Sequence, residues 1–322
     1  MLMGATTIKA REIGWSSASL FEPRARAVYL ALCISFLSLF AGFSLTDFYY
    51  TDDGISERSA VLVVLAVCGI LLRGFGLVRT AAALESMAIM TGFAIVMLLG
   101  CMMLAGTARP LADHSLIAID RALGFDWLAF HMLLRGNEVF FQCANVVYRA
   151  LHWQPLLLVI LLAYFGRILQ LWVFVTAWVI AVIITVMIFP FTPALGGFLH
   201  YGITPDDVRG LWIPGVWEWY DVMQPVREGT LRGLGANSVA GIVTFPSLHA
   251  AGAMVLAYGF WQFRWLKWPM LVLNIGVFLS SIVVGGHYLV DVIAGALIAI
   301  LAIWLSLLVT RQSKPVGQVD PF

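Results

Sequence analysis

The chain has 322 residues, of which 61% are hydrophobic and 11% charged. Soluble domains carry about 25% charged residues, so a mean hydropathy of +0.92 indicates an integral membrane protein. A net charge of +1, from 19 basic against 18 acidic residues, leaves no basic excess for a nucleic-acid partner.

The segment up to Arg26 is mixed and basic, and the apolar run Ala27 to Leu45 behind it is long enough to cross a bilayer. The apolar core of a cleaved signal peptide is usually shorter, so this run is expected to stay as a span. Runs of about 20 apolar residues then predict spans over 27–46, 59–79, 84–105, 138–166, 168–191, 247–263, 266–286 and 287–310. The fourth begins polar and contains Pro155, which suggests an interfacial helix leading into a kinked span. No short-period repeat is visible. Cys33, Cys68, Cys101 and Cys143 lie in or beside apolar runs without metal-like spacing and are expected to be buried thiols.

Short-loop Lys and Arg set orientation. With the N-terminus inside, Lys9, Arg11, Arg24, Arg26, Arg79, Arg167, Arg264, Lys267, Arg311 and Lys314 all fall inside, and Arg73 can snorkel there. The first outer loop holds Asp47, Asp52, Asp53 and Glu57 against Arg58. Both termini are then cytoplasmic, and segments 106–137 and 192–246 lie outside. The sixth and seventh spans form a hairpin. It returns two histidines, His249 and His287, to one membrane face at nearly the same depth.

Those histidines sit in Pro246-Ser247-Leu248-His249 and Gly285-Gly286-His287-Tyr288-Leu289-Val290-Asp291. Read on one helix, His287 and Asp291 are i and i+4 and share a face. A carboxylate accepting the Nδ1–H of the imidazole fixes the tautomer and leaves Nε2 as a nucleophile. The second histidine can act as general acid or base. Pro246 suits a helix start, and the free N–H groups there, with the Ser247 hydroxyl, suit a phosphate. A single interfacial histidine is ordinarily just an amphipathic residue. An acid one turn inside an apolar helix, with a partner at i−4, is by default a functional-site hypothesis. Together the groups suggest phosphoryl transfer through a phosphohistidine. No carboxylate cluster suited to Mg²⁺ is present, so neither metal nor cofactor is expected.

These motifs resemble the second and third signatures of the type 2 phosphatidic acid phosphatase superfamily, PSGH and SR-x5-H-x3-D. The form FPSLHA, with HYLVD and an Arg-less lead-in, is more similar to the inositol phosphorylceramide synthase (aureobasidin-resistance) branch. The likeness runs from about Leu104 to Leu308. It implies an all-α polytopic membrane protein of about eight spans, the last six forming a phosphatidic-acid-phosphatase-like catalytic bundle. Residues 1–83 would be an N-terminal tail and two added spans, 84–310 the catalytic domain and 311–322 a cytoplasmic tail. It also implies that His287 is the nucleophile, Asp291 its acid partner, His249 the acid for the leaving group and Ser247 the motif serine.

Two positions depart from the family pattern. In the first signature, K-x6-RP, Arg109-Pro110 fits but Met102 stands at the lysine; in the third, Ser281 replaces the arginine. Either the donor phosphate carries less charge, as a phosphodiester does, or other arginines substitute. Gln142, Asn145, Arg149 and His152 fall near one face at helical spacing, with Tyr148 beside them, and such a stripe faces protein or a water-filled cavity. Arg149 is the first candidate for a phosphate contact. Arg232 and Arg227 follow, and Arg109 is supported by the motif.

Asp113 and Asp120 read as structural, through helix capping or ion pairs with Arg121. Trp212, Trp217, Trp219 and Tyr220 read as interfacial anchors, or else as a lid over the site. His114, His131 and His200 read as satisfied surface or interface residues.

The expectation is a lipid phosphotransferase in the cell membrane with its site on the extracytoplasmic face. A phospholipid would be the donor and a lipid or polyol hydroxyl the acceptor. With water as acceptor the same site is a lipid phosphatase. A non-catalytic lipid transporter would instead line a path across the bilayer with its polar groups, whereas here they cluster at one face.

Overall fold

A computed structural model describes residues 22–51, 54–208, 216–235 and 243–312. The protein is all-α. Three helices come first: α1 (Arg26–Leu45), α2 (Ile55–Gly74) and α3 (Val78–Ala105). Two short helices follow, the amphipathic α4 (Asp113–Ala122) and the apolar α5 (Trp127–Leu134), and then α6 (Glu138–Arg149), α7 (Gln154–Tyr164) and α8 (Ile168–Ile188). A connecting region carries α9 (Gly197–His200) and α10 (Val216–Glu228), and the chain closes with α11 (Leu248–Phe260), α12 (Lys267–Val283) and α13 (Leu289–Gln312). Strands β1 (Tyr49–Tyr50) and β2 (Gly233–Leu234) pair in parallel and tie the α1–α2 loop to the segment after α10.

Four stretches among the described residues are long and apolar enough to cross a membrane: 23–45, 78–105, 168–191 and 289–311. The fourth expected span is bent by 45° between Glu138–His152 and Gln154–Tyr164. Pro155 lies in the first turn of α7, where its missing N–H and fixed φ start a new helix better than they continue an old one. The sixth and seventh expected spans are shorter apolar helices of 13 and 17 residues, roughly 20 and 26 Å long at 1.5 Å per residue. α2 carries Glu57 and Arg58 near its start and Arg73 in its last turn, with no charge between them.

α8 is the central helix, largely buried, and packs on α3, α11 and α13; α1 packs on α3 and buries only Val28. Leu30, Leu37, Phe40, Val61 and Val64 on α1 and α2 are exposed, a surface suited to hydrocarbon rather than water. Of the cysteines only Cys101 is buried, while Cys33, Cys68 and Cys143 are exposed. That corrects the expectation for three of them. An apolar helix buries residues toward protein on one side and turns the rest outward, and composition alone does not say which. Arg73 is buried too. It makes a two-pronged ion pair with Glu85 at 2.7 Å and reaches Glu22 at 3.3 Å, and Tyr29 donates to Glu85. Lys9, Arg11, Asp52, Asp53, Trp212, Lys314 and the side chain of Trp219 lie outside the described residues.

Without a hydrophobic gradient in lipid, helices associate through small residues that let backbones approach. α11 presents Ala250, Ala251, Gly252 and Ala253, all buried. α13 answers with Gly295. A Cβ at Gly295 would collide with the Ser247 carbonyl and come within 3.0 Å of the Ala250 Cβ. Gly295→Ala is therefore expected to cost about 1–3 kcal/mol through overpacking and to lower activity by parting α11 from α13. Thermal unfolding and turnover of the detergent-solubilised variant check this. Both unchanged would mean that the contact is slack.

Candidate active site

The N-termini of α11 and α13 meet at one end of the bundle, and their exposed backbone donors dictate much of the local chemistry. At α11, Ser247 is the N-cap: its Oγ accepts from the Ala250 N–H at 3.3 Å, and its own N–H donates to the Asp291 carbonyl at 3.0 Å. Ser247 is fully buried. Its hydroxyl is thus engaged in capping, which qualifies the expected part in a phosphate cradle. The N–H groups of Leu248 and His249 have no acceptor among the described residues. The Phe245-Pro246 peptide is cis.

At α13 three donors are satisfied by two carboxylates. Asp291 in the first turn reaches back to the Tyr288 N–H at 2.8 Å, as the acid of a capping box does. Asp120 on α4 accepts from Leu289 and Val290, both at 2.8 Å. Two turns earlier on the same face of α4, Asp113 accepts from the N–H groups of Leu195 and Gly196 at 3.0 Å and from the Tyr288 hydroxyl at 2.8 Å. These aspartates cap and brace as expected, but Arg121 pairs with Asp126 instead of with either of them. Burial pushes the Asp120 carboxyl up, against the pull of its two backbone donors.

His287 lies in the loop before α13, not on the helix. The sequence expectation of a shared helical face is corrected in that detail. Its Nδ1 is 2.8 Å from the Thr244 carbonyl and 3.5 Å from Asp291 Oδ2. The carbonyl, not the carboxylate, is therefore the principal acceptor of Nδ1–H. Nε2 has no hydrogen-bond partner among the described residues. Thr244 is held in turn by its hydroxyl, which donates to the Ala194 carbonyl at 2.9 Å, and the Gly197 N–H bonds to the Gly286 carbonyl at 2.8 Å. Gly286 has φ +67°, which favours glycine.

The His249 and His287 rings lie with centroids 6.4 Å apart and planes tilted by 52°. Tyr148 stacks on His249 at 4.2 Å, and His152 lies 6.3 Å away. Of the polar stripe, Gln142, Arg149 and His152 are exposed, whereas Asn145 and Tyr148 are half-buried. The His152 Nδ1 bonds the Arg149 carbonyl at 3.0 Å, and Gln142 donates to Glu138.

The other candidate arginines are held on aromatic rings: Arg109 over Phe191 at 4.7 Å and Arg232 over Phe48 at 4.8 Å. Arg227 donates to the Arg109 carbonyl at 2.7 Å. Met102 is fully buried in an apolar cluster, and the Ser281 hydroxyl turns back to the Val277 carbonyl of its own helix. The two departures from the family pattern therefore place no cation. Among the described residues no three His, Cys, Asp or Glu side chains converge as metal ligands.

Outside this centre, His114 and His200 meet edge-on at 5.1 Å. His131 is not a surface residue. It is buried, stacked on Trp127 at 5.3 Å and packed against Phe198, and burial holds its pKa below the ordinary value. Trp217 donates to the Ile203 carbonyl at 3.0 Å and packs on Phe198, while Tyr220 is exposed. Sequence reasoning missed the roles of Thr244 and Gly295, and for Asp120 it foresaw capping but not that the capped helix is α13. A threonine backbone carbonyl carries no sequence signal. The i, i+7 spacing of Asp113 and Asp120 on an amphipathic helix was a visible one.

Comparison with known proteins gives a match to the sequence model described as the PAP2 superfamily over residues 114–305, more than half of the chain. No curated protein and no solved structure matches.

Proposed function

The chain belongs to the PAP2 superfamily, with the lipid phosphatase or phosphotransferase type of activity that this implies, and on that premise we propose that it is a lipid phosphotransferase. The observation that carries the reading is the histidine pair: rings 6.4 Å apart, with the Nδ1 of His287 tied to a carbonyl and its Nε2 open. In the first step Nε2 attacks phosphorus, the bond to the leaving oxygen breaks, and His249 gives that oxygen its proton. In the second, His249 takes the proton of an acceptor hydroxyl, the new O–P bond forms and the N–P bond breaks. Free N–H groups at the start of α11 supply donors for the phosphoryl oxygens. Arg149, Arg109 and Arg232 are the candidate cations, and Ser247 keeps the helix end in place.

The absence of charge at Met102 and Ser281 favours a phosphodiester donor over a doubly charged monoester, and hence transfer of a phospho-headgroup in the manner of the inositol phosphorylceramide synthase branch. Arg167, Arg264 and Lys267 belong to the opposite end of the bundle, where Arg167 bonds the Gln262 carbonyl. By the positive-inside rule that supports an extracytoplasmic site.

The test is incubation of purified protein with labelled phospholipids, with and without ceramide, diacylglycerol or polyol acceptors. A new labelled phospholipid that depends on acceptor is expected. Release of free phosphate alone would make the protein a phosphatase. Absence of turnover together with flux of lipid in liposomes would make it a transporter.

A further inference from the structure

Tyr148 enters the site from α6 and has no part in the two-step chemistry above. Its ring lies on His249 with centroids 4.2 Å apart and planes 14° apart. It also adjoins the loop of the second histidine: a Cβ at Gly285 would stand 3.1 Å from Tyr148 Cε2 and 3.0 Å from His287 Cδ2. α6 is seated for this by another glycine, since a Cβ at Gly276 of α12 would press on Val147 at 2.8 Å. Both glycines allow α6 to approach closely enough for the phenol to reach the histidine pair.

We propose that Tyr148 is the positioning residue of His249, fixing the plane of its imidazole by stacking so that the ring edge meets the leaving oxygen. The inference rests on the reading of His249 as the proton donor. A histidine at the first turn of a helix has two free side-chain torsions, and a proton donor misplaced by about 1 Å can cost 10²-fold. Stacking removes the rotation about the second torsion. The Tyr148 hydroxyl is 3.1 Å from Nδ1. In near-parallel rings that contact runs between the planes rather than along the in-plane direction of the nitrogen, where a hydrogen bond is strong. The aromatic face, not the hydroxyl, is therefore the working part. Tyr148 exchanges no proton in either step.

The test uses full-length protein in detergent, with a lipid phosphodiester and a nitrophenyl ester of the same phospho-headgroup, whose leaving group is nitrophenol. Tyr148→Phe keeps the stack and is expected to stay within about 3-fold of the unsubstituted protein on both donors, the scale of one weak hydrogen bond. Tyr148→Leu is expected to lose about 10²-fold in kcat on the lipid donor, with little change in KM. On the nitrophenyl ester, which needs no protonation, its loss is expected to be less than 10-fold. Tyr148→Met replaces the Leu variant if that one fails to fold.

The inference is overturned if the Leu variant keeps full activity or loses equally on both donors. It is overturned as well if the Phe variant falls as far as the Leu variant. His249→Ala and His287→Ala run alongside. Activity surviving in them overturns the phosphotransfer reading and this inference with it. Inactivity in both beside an unaffected Tyr148→Leu removes the inference alone.

Discussion

His287→Ala is expected to abolish turnover, with a loss on the order of 10⁶-fold by comparison with removal of a nucleophile from a hydrolytic triad. The argument is geometric. His287 is the residue whose Nδ1 is engaged at 2.8 Å by the Thr244 carbonyl while Nε2 stays open toward a second imidazole 6.4 Å away. In the proposed mechanism, removing the ring removes the atom that forms the bond to phosphorus. Labelled donor should leave an acid-labile, alkali-stable phosphoryl group on the unsubstituted protein and none on the variant. The substitution leaves the buried Thr244 carbonyl without its donor, at a cost of about 1–3 kcal/mol. Thermal unfolding of the variant separates that loss from lost chemistry. Retained turnover in a folded variant would sink the covalent mechanism.

Asp291→Asn is expected to lower kcat by about 10²–10³-fold, the scale of one lost electrostatic contact in a catalytic site. In a serine-hydrolase triad the same exchange costs about 10⁴-fold because the amide selects the wrong tautomer. Here that selection does not depend on the carboxylate. Asp291 Oδ2 is 3.5 Å from Nδ1, while the Thr244 carbonyl is 2.8 Å away. The carboxylate caps α13 through the Tyr288 N–H, and in the proposed mechanism it stabilises positive charge on the ring as the ring attacks. An asparagine oxygen can still accept that N–H, so the fold should persist. Single-turnover rates on a lipid donor measure the effect. A loss as large as that of His287→Ala would show that the carboxylate, and not the carbonyl, controls the tautomer.

Much of this site could be read in the chain. The pattern PSLH, the 38-residue hairpin back to His287 and the acid at Asp291 were enough to bring two histidines and a carboxylate to one end of a helical bundle. The apolar runs located α1, α3, α8 and α13, because a long uninterrupted run near 20 residues has few other solutions. The same logic weakened where runs were short. α11 has 13 residues, and its place in the bundle follows from its small-residue face rather than from its length. The break at Trp153 was visible through Pro155, but not its 45° angle.

The sequence by itself determined the class of protein, the family signatures and the residues proposed for the chemistry, since these depend on composition and on local spacing. Tertiary structure decided which partner each of those residues has. Whether His287 gives its proton to Asp291 or to a backbone carbonyl depends on a loop 43 residues away. Whether Asp120 pairs with Arg121 or caps α13 depends on where α4 lies. Whether a polar stripe on α6 offers Arg149 or Tyr148 to the site depends on how closely α6 approaches α12. Each is a matter of ångströms between segments distant in the chain, fixed by packing that periodicity does not encode.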